Sequence, residues 1–81
     1  MDSQAAELVS AVADVLAERR NARGLSHEKL AELAGIHRST VSRIESKSIN
    51  GTLIVFVAIA NALETDLARV LKQAAARVLK K

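Results

Sequence analysis

The sequence predicts an all-α domain of five short helices, and three observations carry that reading. Pro is absent and Gly numbers 3 among 81 residues, too few breakers for a turn-rich all-β domain or a disordered linker. Apolar residues recur at intervals of three and four in successive segments bounded by capping residues. The one strand-like run, Leu53 to Ala60, stays apolar through Leu63 and has no second run to pair with, so it too reads as helix. A chain of this length holds one domain, 1–81, and its single aromatic, Phe56, makes the core aliphatic.

The first helix is predicted over about 3–22, where Leu8, Val12, Val15 and Leu16 share a face. Arg19, Arg20 and Arg23 suit the negative end of its dipole, and Gly24 stops it. Ser26 caps a second helix over 27–34, whose apolar stripe is Leu30, Ala31, Leu33 and Ala34 and whose end is Gly35. Only Ile36 separates that glycine from His37, the N-cap or turn residue of a third helix over 38–46. Helices joined by so short a corner cannot lie antiparallel. They cross steeply, which is helix-turn-helix geometry. In the third helix Val41 and Ile44 point inward with Thr40, Ser39, Ser42, Arg43 and Ser46 point outward, and Arg38 stands at the boundary. Residues 47–51 read as a loop. Thr52 caps a fourth helix over 53–63, and Thr65 caps a fifth over 66–80 that packs through Leu67, Val70, Leu71, Ala74 and Val78.

Several function classes fall away. Without Cys there are no disulfides, thiolate metal sites or cysteine nucleophiles. His27, His37 and Glu32 lack a standard ligand spacing, so neither a metal nor another cofactor is expected. Ser39, Ser42 and His37 crowd one exposed helix with no oxyanion seat and no Gly-rich phosphate loop, which argues against an enzyme. The start of the chain is acidic where a signal peptide is basic, and the longest apolar run has eight residues against the ~20 that span a bilayer. A cytoplasmic protein with no membrane partner is expected. The net charge of +3 is a poor guide to partners, because residues 52–81 carry five basic and two acidic groups while 25–51 carry four and three.

The specific signal is residues 27–45. Ala31 is small where two helices press together, Gly35 makes the turn, Ile36 plugs the corner, and Val41 and Ile44 seat the following helix. This pattern closely resembles the phage lambda repressor and Cro family, the XRE-type regulators, over about residues 20–67. Gly24-Leu25-Ser26-His27 is similar to that family's Gly-Leu-Ser-Gln, with His for Gln, and Ile59-Ala60-Asn61-Ala62-Leu63 to its Ile-Ala-x-Ala-Leu. The resemblance implies a five-helix, lambda-repressor-like fold that binds DNA as a dimer. Within the family, His37 to Ser42, with Glu45 and Asn50, most resemble the controller proteins of restriction–modification systems, although Ser46 and Ile49 stand where those often carry Arg. Prophage repressors and antitoxin-type regulators, which also grip a toxin, are the alternatives.

Such a fold places the third helix in the major groove. Arg38, Ser39, Ser42 and Arg43 are then the candidates for base edges, an Arg offering two parallel donors to guanine. Backbone candidates are Ser26 and His27 at the start of the second helix, Thr40, and Lys47 and Asn50 in the loop. The resemblance makes Arg20 and Glu45 a structural pair bracing the third helix. Ile54, Val57 and Ala58 are apolar where relatives are often polar, so with Asn61 and Ile49 they are assigned to a two-fold contact with a second copy. The reading is a homodimeric transcriptional regulator of a palindromic double-stranded operator, with RNA polymerase or a toxin as further candidate partners.

Overall fold

The computed structural model describes residues 3–79, and the five predicted helices are all present: α1 (Ser3–Ala22), α2 (His27–Ala34), α3 (Arg38–Glu45), α4 (Leu53–Ala62) and α5 (Leu67–Val78). There is no strand among the described residues. Met1, Asp2, Lys80 and Lys81 lie outside them, and with them the predicted end of α5 at Lys80; among the described residues α5 ends at Val78, with Leu79 as its C-cap.

The first four helices close in one way. A backbone amide bonds back five residues around a left-handed residue: Leu25 to Arg20, Ile36 to Ala31, Ser48 to Arg43 and Thr65 to Ala60, at 2.9–3.1 Å. The left-handed residues are Gly24 and Gly35, where no Cβ opposes the turn, and also Lys47 at φ 68° and Glu64 at φ 60°, where one does. That closure explains a departure at α5. Thr65 is the residue whose amide completes the closing turn of α4, so α5 begins one residue later than predicted and Asp66 is its cap, its Oδ1 accepting from the Arg69 amide at 2.8 Å. At the other starts Ser26 Oγ accepts from the Lys29 amide and Thr52 Oγ1 from the Val55 amide.

The core is aliphatic and drawn from every helix: Val15 and Leu16 of α1, Leu30 of α2, Val41 and Ile44 of α3, Ile59 of α4 and Val70 of α5 are all buried. Helix α1 lies along α5, and α4 packs on α2 and α5. Two large predicted core residues, Leu33 and Leu71, are exposed instead, and Ala34 is only half-buried. Leu33 sits ~200° round the two-turn helix α2 from Ala31 and faces out, while Leu71 lies at the rim of a stripe that Val70 and Ala74 already fill. In the loop before α4 the Phe56 ring lies so close to Gly51 that a Cβ there would come within 2.7 Å of Cε1. The only aromatic therefore fixes the path of the chain leaving α3.

Candidate nucleic-acid interface

Helix α3 is seated through Val41 and Ile44, one turn apart and both almost fully buried. The remaining positions of its two turns carry polar side chains. Arg38, Ser39 and Arg43 are exposed, and Ser42 and Thr40 are half-buried. Among the described residues neither the Arg38 nor the Arg43 guanidinium has an ion-pair or hydrogen-bond partner. Ser42 Oγ donates back to the Ser39 carbonyl at 3.3 Å, so its hydroxyl is engaged, while that of Ser39 has no partner among the described residues.

The single carboxylate of α3, Glu45, is turned away from that surface. It accepts from Arg20 Nε at 2.7 Å and Nη2 at 2.9 Å, and His27 Nε2 lies 3.0 Å from its Oε1. Arg20 Nη1 also donates to the Leu25 carbonyl, so one guanidinium ties the end of α1, the start of α2 and the last turn of α3. Burial pushes the Glu45 carboxyl up, but the bonds from Arg20 and His27 outweigh it and hold the group below the usual carboxylate range. The bond to Glu45 likewise raises the Arg20 guanidinium above its ordinary value. With that charge compensated internally, the outer side of α3 presents two cations and hydroxyl groups and no free carboxylate.

Two of the predicted backbone residues are engaged within the protein. The His27 ring sets Nε2 3.0 Å from Glu45 Oε1, beside the Arg20–Glu45 pair, so only Nδ1 is left for a phosphate. Lys47 points to α1. Its Nζ donates to Ser10 Oγ at 2.8 Å and pairs with Asp14 Oδ1 at 3.0 Å. Ser26 is exposed and its hydroxyl is used as the cap, leaving the first two amides of α2, at His27 and Glu28, without a helix partner. Asn50 is exposed in the loop. His37 precedes α3 in extended backbone and makes no side-chain cap bond.

The apolar patch assigned to a second copy lies outside the core. Ile54 is 78% exposed, Ile49 and Val57 are also exposed, Asn61 is exposed, and Ala58 is half-buried. Two features beside it escaped the reading of the sequence. Leu53, 70% exposed, extends the patch by one residue. The α2–α3 corner, Gly35 and Ile36, joins Ile54, Val55 and Ala58 around a groove of about 280 Å³. The available signal was that α4 is apolar at every position but Asn61, and a helix of that kind needs cover on both sides.

The helix-turn-helix family matches residues 16–70 of the chain. Control protein C.SmaI of Serratia marcescens is 38% identical over 64 residues, which span 74% of this chain and 76% of that protein. The crystal structure of a point mutant of the restriction–modification controller protein C.Esp1396I superposes with a TM-score of 0.82 at 29% identity, covering 90% of this chain and 95% of that one.

Proposed function

The chain belongs to the helix-turn-helix family and, within it, to the control proteins; from that membership we propose that residues 1–81 act as one homodimeric regulator that reads a palindromic duplex operator. The α3 helices of the two protomers enter two successive major grooves, one in each, ~34 Å apart. The observation that carries this reading is the pair of unpartnered guanidiniums, Arg38 and Arg43, on a helix whose only carboxylate is neutralised from behind. The protein works by binding in the cytoplasm, without catalysis, and the likeness to C.Esp1396I supports a restriction–modification operon as the target. Ser39 and Ser42 assist at base edges. Ser26, Thr40 and Asn50 hold the backbone.

Selection of bound duplexes from a random pool tests the reading. The wild-type chain should enrich two inverted half-sites about one helical turn apart. Arg38→Ala and Arg43→Ala should each relax preference at one position per half-site, by about 5- to 150-fold for a bidentate contact. Unchanged affinity and preference in both variants would remove the recognition-helix assignment, and an enriched site without two-fold symmetry would remove the dimer.

A further inference from the structure

Lys47 is the only cation in the chain between Arg43 and Arg69, and it sits in the loop that leaves α3. It is also held where that loop meets α1. Its backbone is left-handed, φ 68°, and closes the end of α3 by a bond from its amide to the Ile44 carbonyl at 3.1 Å. This fixes the direction of the Cα–Cβ bond. The side chain then crosses to α1 and divides its donors between Ser10 Oγ at 2.8 Å and Asp14 Oδ1 at 3.0 Å. Beneath that bridge is a cleft of about 200 Å³, lined by Ser10, Ala13, Lys47, Asn50, Gly51 and Phe56 among others. Polar contact, more than close packing, keeps the ammonium in place. Both members remain accessible to water, Lys47 at 39% and Asp14 at 52% of their side-chain surface, so the pair can exchange partners.

The geometry points to Asp14 as a residue that sets DNA affinity by holding Lys47 back from the phosphate backbone. The inference rests on the proposed function and adds a residue of α1 to the binding surface. In the free chain the Lys47 charge is taken up by Asp14 and Ser10. On the duplex, a phosphate has to displace a carboxylate already in contact, and the loop contributes less than an unengaged lysine would. Asp14 is the carboxylate that faces Lys47 from α1, and no acid within the loop competes for it, since residues 46–52 contain none.

The test is a double-mutant cycle on the duplex that the wild-type chain selects. Asp14→Asn keeps the shape of an exposed position and removes its charge; Lys47→Gln removes the cation. Exposed ion pairs of this kind shift an equilibrium about 1.4- to 5-fold each, so freeing both lysines of a dimer raises affinity about 2- to 25-fold. The plot of log affinity against log salt also steepens by ~0.9 for each further phosphate that a freed lysine neutralises. In the Lys47→Gln background Asp14→Asn changes neither quantity beyond the small effect of one distant charge. An equal gain from Asp14→Asn in both backgrounds overturns the inference, because the effect is then the general field. A loss of affinity when Lys47 is present also overturns it, since Asp14 would then be supporting the loop. Either result leaves the selected operator standing. A wild-type chain that selects no duplex removes the proposed function and this inference with it.

Discussion

Arg20 grips Glu45 at two points, Nε to Oε2 and Nη2 to Oε1, at 2.7 and 2.9 Å. The two side chains are only 12% and 15% exposed, so the pair is shielded enough for its loss to matter. Removing one partner leaves the other with too few donors or acceptors in a half-buried site. Arg20→Ala should cost about 3 kcal/mol in urea unfolding, the lower end of the range for a broken buried pair. Arg20→Lys should recover little of it, because an ammonium cannot reproduce two parallel donors. Full recovery by Lys would show that charge alone, without geometry, holds α3 in place.

The same carboxylate gives the fold a dependence on acid. Its folded pKa is depressed, so its contribution is complete above the unfolded value, about 4.3, and is lost as pH falls through the lower folded one. Glu18, held down by the hydrogen bond from Arg77, acts in the same direction, but it is exposed and contributes less. The wild-type urea midpoint should stay level from pH 7 to about 5 and fall below about pH 4.5. Glu45→Gln should start lower and fall less steeply. Parallel curves for the two proteins would place the acid sensitivity elsewhere.

Gly51 is dictated by Phe56. A Cβ at residue 51 would lie 2.7 Å from ring atom Cε1 and 2.8 Å from Cζ, and the ring it would displace is a buried part of the core. Gly51→Ala should therefore destabilise by about 1–3 kcal/mol, the usual range for overpacking. In a Phe56→Leu background the same substitution should cost much less, since the obstructing ring is gone and the two sites are coupled. Additive effects in thermal melts would contradict a steric origin.

Glu64 offers the opposite case. It holds a left-handed backbone at φ 60° while 79% of its side chain is exposed, and its one ion pair among the described residues, to Arg23, is long at 3.4 Å. Glu64→Gly should stabilise by about 1 kcal/mol, the strain relieved less the extra freedom given to the unfolded chain. A melting temperature about 4–8 °C higher would be its signature.

What the sequence made legible follows from the range of each interaction. Helix spans and the tight corner depend on neighbours a few residues apart, so Ser26, Gly35 and Ile36 could be placed from their spacing. Left-handed ends at Lys47 and Glu64 carry no such mark, because the backbone there is bent by closure of the helix against the side chain's own preference. The cap at Asp66 was displaced for the same reason. Contacts between distant segments were the least legible part of the candidate site. Nothing local to Lys47 indicates Asp14, 33 positions earlier, and nothing at position 27 indicates that its ring reaches Glu45. The Arg20–Glu45 pair entered the reading only through family resemblance.

The exposed face of α4 gives the sharpest test of the dimer. Ile54 is the second residue of the helix and 78% exposed, so burying it within its own protomer contributes little. Aspartate at that position also suits the positive end of the helix dipole, worth about 0.3–1 kcal/mol in favour of the folded chain. Ile54→Asp should therefore leave the fold of the protomer intact or slightly firmer. In the proposed dimer the same change would place a charge within the apolar contact between copies. If Ile54 anchors that contact, association should weaken by about 2 kcal/mol or more, roughly thirtyfold. Sedimentation would register the loss, and operator affinity should fall with it while helical content is unchanged. Val57→Asp, one turn along, should behave alike. A variant that remains dimeric at micromolar concentration would move the two-fold axis away from α4, and the apolar surface from Leu53 to Ala58 would then require a different partner.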